Sequence, residues 1–356
     1  MKNNYPDAVM TEKRDRIIFD ALMQISRYID ENYEEEGYLP SESKMSRMFG
    51  VSSGTIRSVL AMIAENNFIT SYPRRGHYVV PRRYRIMKVG LVLGTGKESP
   101  FIHNSEIVSS LIYHLRLSRI HCQIIQSSQP EKLILRAAAH GVRALVWLDP
   151  PLEIMPYIND DEQMSNFPQL VVSNSSRRTL TAENGINYIV TNPKPHIEKR
   201  IRFLRDRGHR MIVSMDSKSH WDNLNIDTDD IYFLEFDAFN LEERLEKLIS
   251  NPLFSSLMVT GPTMIREKVF KALNKLPEDR QPELLVPSDE LLGYFRHQYS
   301  NLKIIAMTEF HGEKLGQLAA EELSGYILDK KPIQSHEVSV HQLKILTDAD
   351  YVSKVK

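Results

Sequence analysis

The stretch from Gly37 to Val80 constrains this chain more than any other. It reads GYLPSESKMSRMFGVSSGTIRSVLAMIAENNFITSYPRRGHYVV. Ser41 stands where a helix cap belongs, and Met45, Met48 and Phe49 then fall on one face of a short helix. Gly50 ends that helix and Ser52 is placed to cap the next. In the second helix Ile56, Val59, Leu60 and Ile63 recur at i, i+3, i+4, i+7, so that face must be buried. Ser53, Gly54, Arg57 and Ser58 form its small, hydrogen-bonding outer side. Two short helices about a glycine turn, the second with a polar outer face, predict a helix-turn-helix. Behind it, residues 68–72 and 77–80 are β-prone, and Pro73-Arg74-Arg75-Gly76 between them is a turn with two cations at its tip. Such a hairpin behind a recognition helix is a wing, able to reach phosphates or the minor groove.

Charge follows the same boundaries. Residues 37–85 hold eight Lys/Arg against two acids, whereas residues 1–36 hold five basic and nine acidic residues. The formal net charge of −1 therefore hides a local basic segment. Arg74 and Arg75 alone would read as a solvated hairpin tip, and Arg57 alone as an exposed helix charge. The ordered combination of turn, helix and wing carries the DNA-binding reading.

The pattern LPSES-x5-FGVS-x2-TIR-x2-L followed by PRRGHYVV resembles the winged helix of the GntR family of bacterial transcription regulators. The resemblance covers roughly the first 80 residues. It implies that Ser52, Thr55 and Arg57 meet DNA from the recognition helix and Arg75, Gly76 and His77 from the wing. Ser41, Lys44, Ser53 and Arg74 complete the candidate DNA-binding set. Two positions depart from the family, which has arginine where this chain has Ser43 and Ser53. Lys44 can replace the first cation, but Ser53 cannot imitate a bidentate arginine–guanine contact.

At 356 residues the chain fits two or three domains. Its start, MKNNYPDAVM, lacks the cationic and apolar regions of a signal peptide, and no apolar run reaches membrane-span length. A cytoplasmic protein without membrane attachment is expected. Cys122 is the only cysteine, which excludes an internal disulfide and a thiolate metal cluster. Within IHCQII it reads as an inert buried thiol.

Residues 14–31 form a predicted helix, with Ile17, Ile18, Ala21, Leu22, Ile25, Tyr28 and Ile29 on one face, the third wall of the DNA-binding core. The acidic run 34–36 reads as a solvated loop. Residues 81–87 read as a linker whose arginines can touch phosphates. From Met87 the pattern alternates strand and helix: strands at 88–93, 122–126, 143–148, 169–173 and 186–191, helices at 105–118, 131–140 and 195–207. A second set follows, with strands at 211–215, 231–236, 256–260, 283–286 and 303–307, and helices at 241–250, 264–276 and near 289–297. A last helix at 311–328 should fold back on the first set. Apolar strands alternating with amphipathic helices predict an α/β fold: an N-terminal winged helix-turn-helix on two parallel-sheet subdomains. The expected domains are 1–80, a linker at 81–87 and 88–348.

The order KVGLVLG, HGVRALVWL, IRFLRDRGHRMIVSM, LLVPSDELL and FHGEKLGQLAAEELSGYI resembles the periplasmic-binding-protein-like effector domain of the LacI/GalR regulators. A GntR-type head on such a body also resembles the AraR-like arabinose repressors. That resemblance implies a ligand held between two subdomains and a homodimer on an inverted-repeat operator. Here too the chain departs: Gly261-Pro262 stands where the family has an Asn-Asp pair, and 217–230 leaves little room for the family's arginine-bearing helix. Ser99, Phe101, Asn174, Asn192, Trp221 and Asp289 remain as candidate effector contacts, with Trp221 as a stacking ring or, on the plainer reading, a packing one.

Catalytic motifs fail one by one. Gly94-Thr95-Gly96 has Ser99 where a dinucleotide fold needs glycine, and Gly96-Lys97 is followed by Glu98 rather than Ser or Thr. HExxH and G-x-S-x-G are absent, no histidines pair at metal-ligand spacing, and the acidic run 227–230 lacks calcium-loop spacing. No cofactor and no metal are expected. The expected function is a sequence-specific transcriptional regulator, a repressor by family, controlled by a small-molecule effector with a sugar among the candidates. The alternatives are a sensor whose head binds a protein, a body that serves dimerisation alone, and an enzyme on the doubly wound body.

Overall fold

The computed structural model describes residues 12–93, 105–125, 133–150, 167–173, 186–192, 194–215, 218–223, 225–234, 241–259, 263–286, 298–299, 301–308, 312–339 and 344–346. These fall into two compact units, one drawn from 1–190 and 312–336, the other from 191–311 and 337–356.

The first unit opens with α1 (Glu12–Asn32), then β1 (Gly37–Tyr38), α2 (Glu42–Phe49), α3 (Ser53–Glu65), β2 (Ile69–Tyr72) and β3 (Gly76–Val79). Ser41 Oγ accepts from the Lys44 amide and caps α2, and Gly50 ends it in the left-handed region at φ 68°. Ser52 Oγ accepts from the Thr55 amide and caps α3. The predicted apolar faces meet: Ile25 and Ile29 of α1, Met45 of α2 and Ile56, Val59 and Leu60 of α3 are all buried. Each such side chain contributes about 1.5–3 kcal/mol relative to exposure. Ile17, expected on that face, stays 41% exposed. The hairpin gains a strand the sequence did not announce. β1 pairs antiparallel with β3, giving a three-stranded order β1-β3-β2. Two residues, Gly37 and Tyr38, are too few for any periodicity and cannot signal a strand on their own.

A 3-10 turn (Arg82–Tyr84) leads into β4 (Met87–Leu93), α4 (Ser105–Leu117), β5 (Ile120–Ile125), α5 (Leu133–Ala139), β6 (Val142–Leu148), β7 (Gln169–Ser173) and β8 (Asn187–Asn192). The second unit continues with α6 (Lys194–Asp206), β9 (Met211–Ser214), α7 (Lys218–Asn223), β10 (Ile231–Phe233), α8 (Leu241–Ser250), β11 (Phe254–Met258), α9 (Thr263–Leu273), β12 (Glu283–Val286) and β13 (Ile304–Thr308). Then come α10 (Gly312–Asp329), β14 (His336–Ser339) and β15 (Lys344–Leu346).

The two sheets share one wiring. The first runs β5-β4-β6-β7-β8-β14 and the second β10-β9-β11-β12-β13-β15. Their five consecutive strands are parallel in both, and β15 closes the second sheet antiparallel to β13. In both, the second strand lies outside the first, the doubly wound order 2-1-3-4-5. Burial of β4, β6 and β7 along nearly their whole length explains why those strands read as continuous apolar runs. As expected, α10 returns to the first unit, where Ser110 of α4 donates to the Glu313 carbonyl at 2.7 Å. In the second unit Glu283 accepts from Arg207 Nε at 2.7 Å and lies 3.0 Å from His209 Nε2. Burial alone would raise this carboxyl's pKa, but the bonds from Arg207 and His209 outweigh it and hold it below the ordinary value.

Candidate nucleic-acid interface

α3 presents its outer side at the protein surface. Ser52, Ser53, Gly54 and Arg57 are exposed, and Thr55 and Ser58 partly so. Ser52 Oγ and Thr55 Oγ1 lie 2.9 Å apart, so the two predicted DNA contacts are tied together at the helix start. There the first amides of α3 and their partial positive charge favour a phosphate. Arg57 is 69% exposed, yet its Nε donates to Glu42 Oε2 of α2 at 3.1 Å. Glu42 Oε1 also lies 3.8 Å from His77 Nε2 of the wing. A single carboxylate thus holds Arg57 of the recognition helix and lies beside His77 of the wing. The only hint in the sequence is that Glu42 is one of two acids in a basic stretch.

The wing tip is built by β2 and β3. The Arg75 amide donates to the Tyr72 carbonyl at 3.1 Å, with Pro73 and Arg74 at the corner. Arg74 adopts φ 62°, which a side chain rarely does without cost. Arg74, Arg75 and Gly76 are exposed, and His77 Nδ1 lies 2.9 Å from Ser71 Oγ across the hairpin. Lys44 is exposed at the start of α2, near the Ser41 cap. The structure therefore puts the ten predicted DNA contacts on the start of α2, the start of α3 and the wing.

The arginines of the expected linker behave otherwise. Arg82 Nη2 donates to the Leu328 carbonyl at 2.7 Å and the Ile327 carbonyl at 3.2 Å, closing the C-terminal end of α10. Arg83 Nη1 pairs with Glu35 at 3.0 Å. Arg85 is fully buried and donates to Asp30 Oδ1 at 3.1 Å and to the Val80 carbonyl at 2.7 Å. The expectation that this stretch touches phosphates is corrected for Arg82 and Arg85, whereas Arg83 stays exposed beside Glu35. Arg82 ties the stretch to the end of α10 and Arg85 ties it to α1, so neither faces outward.

More bonds fix the end of the recognition helix. Asn66 caps α3 and donates to the Ala139 carbonyl at 2.9 Å, while Lys88 Nζ donates to Asn66 Oδ1 at 2.9 Å and to the His140 carbonyl at 3.0 Å. Gly141 makes this approach possible: it sits at φ 74°, and a Cβ there would lie 2.6 Å from Asn66 Cγ.

Of the candidate effector contacts, Ser99, Phe101, Asn174 and Asp289 lie outside the described residues. Asn192 Oδ1 accepts from the Lys194 amide at 3.1 Å and so caps α6. Trp221 needs correction as a stacking ring. It is 1% exposed, packs edge-on to Phe233 at 5.2 Å and belongs to the core with Ile197, Ile212 and Met258. No ring face is left for a ligand. Cys122 is half-buried rather than buried, and burial pushes its thiol pKa up to about 11, which suits an inert thiol. Among the described residues, no cluster of His, Cys, Asp or Glu could hold a metal ion and no helix is long and apolar enough to cross a membrane.

Residues 23–79 match the family "Bacterial regulatory proteins, gntR family". No curated protein sequence matches the chain. Solved structures are similar in fold. A carbohydrate transporter from Acidothermus cellulolyticus 11B, in complex with myo-inositol, is 11% identical with TM-score 0.52, over 75% of this chain and 96% of that one. The xylose-binding transcription activator xylR is 15% identical with TM-score 0.51, over 75% and 70%. Transcription regulator CcpA of Lactococcus lactis is 15% identical with TM-score 0.51, over 74% and 98%. The chain thus carries a GntR-type winged helix-turn-helix on a body whose fold is similar to that of a carbohydrate transporter and of the transcription regulators xylR and CcpA.

Proposed function

We propose that this protein is a ligand-controlled, sequence-specific transcriptional regulator acting as a repressor. The observation that carries it is the placement of Ser52, Thr55, Arg57, Arg74 and Arg75 on the start of α3 and the wing tip, where a major-groove helix and a phosphate-contacting hairpin need them. The winged helix at 12–80 reads DNA, and the body from 88 onward binds effector and partner copy. The carbohydrate named for two of the similar structures makes a sugar the first effector class to test. A homodimer on an inverted repeat is supported by apolar side chains on the first sheet unit. Tyr113 and Leu117 of α4 and Ile124 of β5 are 60%, 65% and 47% exposed. The reading makes the protein a regulator rather than an enzyme, and places it in the cytoplasm with the DNA.

The test is sequencing of sheared genomic DNA retained by the full chain at two salt concentrations. The reading requires a few sites sharing an inverted repeat, retained less at the higher salt. Uniform retention, or none with each neighbouring gene's metabolite added, would leave a head that binds something other than an operator.

A further inference from the structure

Between the winged helix and the first sheet lies a cavity of about 260 Å³. α1 and α3 form one side, α5, β6 and the end of α10 the other. Leu22, Ile63, Met87, Val142 and Phe167 give it apolar walls. A cavity of about 150 Å³ holds one benzene, so this space takes a six-membered ring with a polar group attached.

The charge around it is not balanced. Asp30 is shared by two guanidiniums, Arg85 at 3.1 Å and Arg143 at 3.2 Å. The remaining bonds of Arg85 go to neutral carbonyls, those of Val80 and Tyr33. Arg143 lies over the Phe68 ring at 4.4 Å, and its Nε is buried without a hydrogen-bond partner. A buried N–H left so costs about 1–3 kcal/mol. Arg27, Arg82 and Lys330 add positive charge to the lining against Glu31 alone besides Asp30. Tyr326, also in the lining, has its pKa raised by burial, with Arg27 and Arg143 pulling it down and Asp30 pushing it up.

We infer that this cavity is a binding site for a small monocarboxylate with an apolar ring or branched body, its carboxylate drawn to the Arg143 guanidinium and Arg27 and its body held by the apolar walls from Leu22 to Phe167. The ligand bridges winged helix and body, so it acts on the element that carries the recognition helix. Any effect on DNA rests on the regulator reading, but binding itself does not.

The test titrates the full chain, without DNA, with benzoate, cyclohexanecarboxylate and the neutral benzamide, by calorimetry and ligand-observed NMR. Saturable binding of at least one carboxylate, with benzamide roughly tenfold weaker or more, is the expected result. Arg143→Met should abolish binding. Because that change also frees Asp30, two milder variants accompany it. Arg27→Ala alters an exposed lining residue and should weaken binding a few-fold, and Met23→Trp should fill the space and block it. No carboxylate bound by the folded protein, or binding indifferent to Met23→Trp and Arg27→Ala, overturns the inference. Retention of genomic DNA, measured separately on the same protein, reports on the regulator reading, so the two can fail independently.

Discussion

Six of the eight basic residues of 37–85 divide into two groups with opposite fates. Lys44, Arg57, Arg74 and Arg75 lie exposed on the recognition helix, the wing and the helix before them, whereas Arg82 and Arg85 are taken up by carbonyls and by Asp30. In sequence both groups look alike. The outer arginines have a high-dielectric setting where pairing is weak and exchange with phosphate is cheap. The inner ones are desolvated and stay only because each finds an anion or a carbonyl. A count of local positive charge therefore overstates the DNA-facing charge, and the two groups should respond to substitution in different assays.

The largest effect should come from the inner group. Asp30→Asn leaves Arg85 and Arg143 without their shared carboxylate, and breaking such a buried pair costs about 3–5 kcal/mol. Urea unfolding monitored by circular dichroism should show it, with operator affinity per folded molecule little changed. A stability loss below about 1 kcal/mol would mean that the two arginines are hydrated in solution and the division drawn here is wrong.

The outer group should show the reverse. Arg57→Ala removes a largely exposed side chain paired with a surface carboxylate, so unfolding should barely move. Discrimination between operator and scrambled duplex should fall by about 1–3 kcal/mol. An unchanged preference would place base reading elsewhere than on α3.

Arg74 tests cost against benefit at one position. Its φ of 62° is strained by about 1 kcal/mol for a residue with a Cβ. Arg74→Gly should stabilise the protein by up to that amount while weakening every DNA sequence alike. The slope of log affinity against log salt should fall by about 0.9. A gain in stability with no change in slope would show that the wing tip does not meet a phosphate.

How much of this could be read beforehand depended on how local the determinant was. The helix-turn-helix was legible because caps at Ser41 and Ser52, a left-handed Gly50 and an i, i+3, i+4, i+7 apolar face all lie between Ser41 and Ile63. The doubly wound sheets were legible from apolar runs such as KVGLVL and RALVWL, which only strands buried on both faces demand. The two-residue β1 was not, because its strand character comes wholly from pairing with β3. Nor was the role of Arg82 and Arg85, whose partners at Leu328 and Asp30 are 246 and 55 residues away. Trp221 was ambiguous because indole serves packing and stacking equally well, and only its burial against Phe233 decides. The effector end was least legible: ligands of this fold sit beyond the carboxyl ends of the strands, in loops that carry no periodicity.

The smallest effect concerns the carboxylate that joins the outer group to itself. Glu42 holds Arg57 at 3.1 Å and lies 3.8 Å from His77, so in the free protein it competes with DNA for both. Glu42→Gln keeps the shape and the start of α2 while removing the charge. Since Arg57 is largely exposed, the pair should contribute no more than a few tenths of a kcal/mol to folding. DNA should bind slightly tighter, because one like-charge repulsion with the phosphates is gone and Arg57 is released beforehand. Fluorescence anisotropy on operator and scrambled duplexes separates two origins of that gain. An equal gain on both marks relief of repulsion alone. A larger gain on the operator marks Arg57 as the base reader whose release Glu42 restrains, which would make this acid a determinant of how sharply the winged helix tells its site from other DNA.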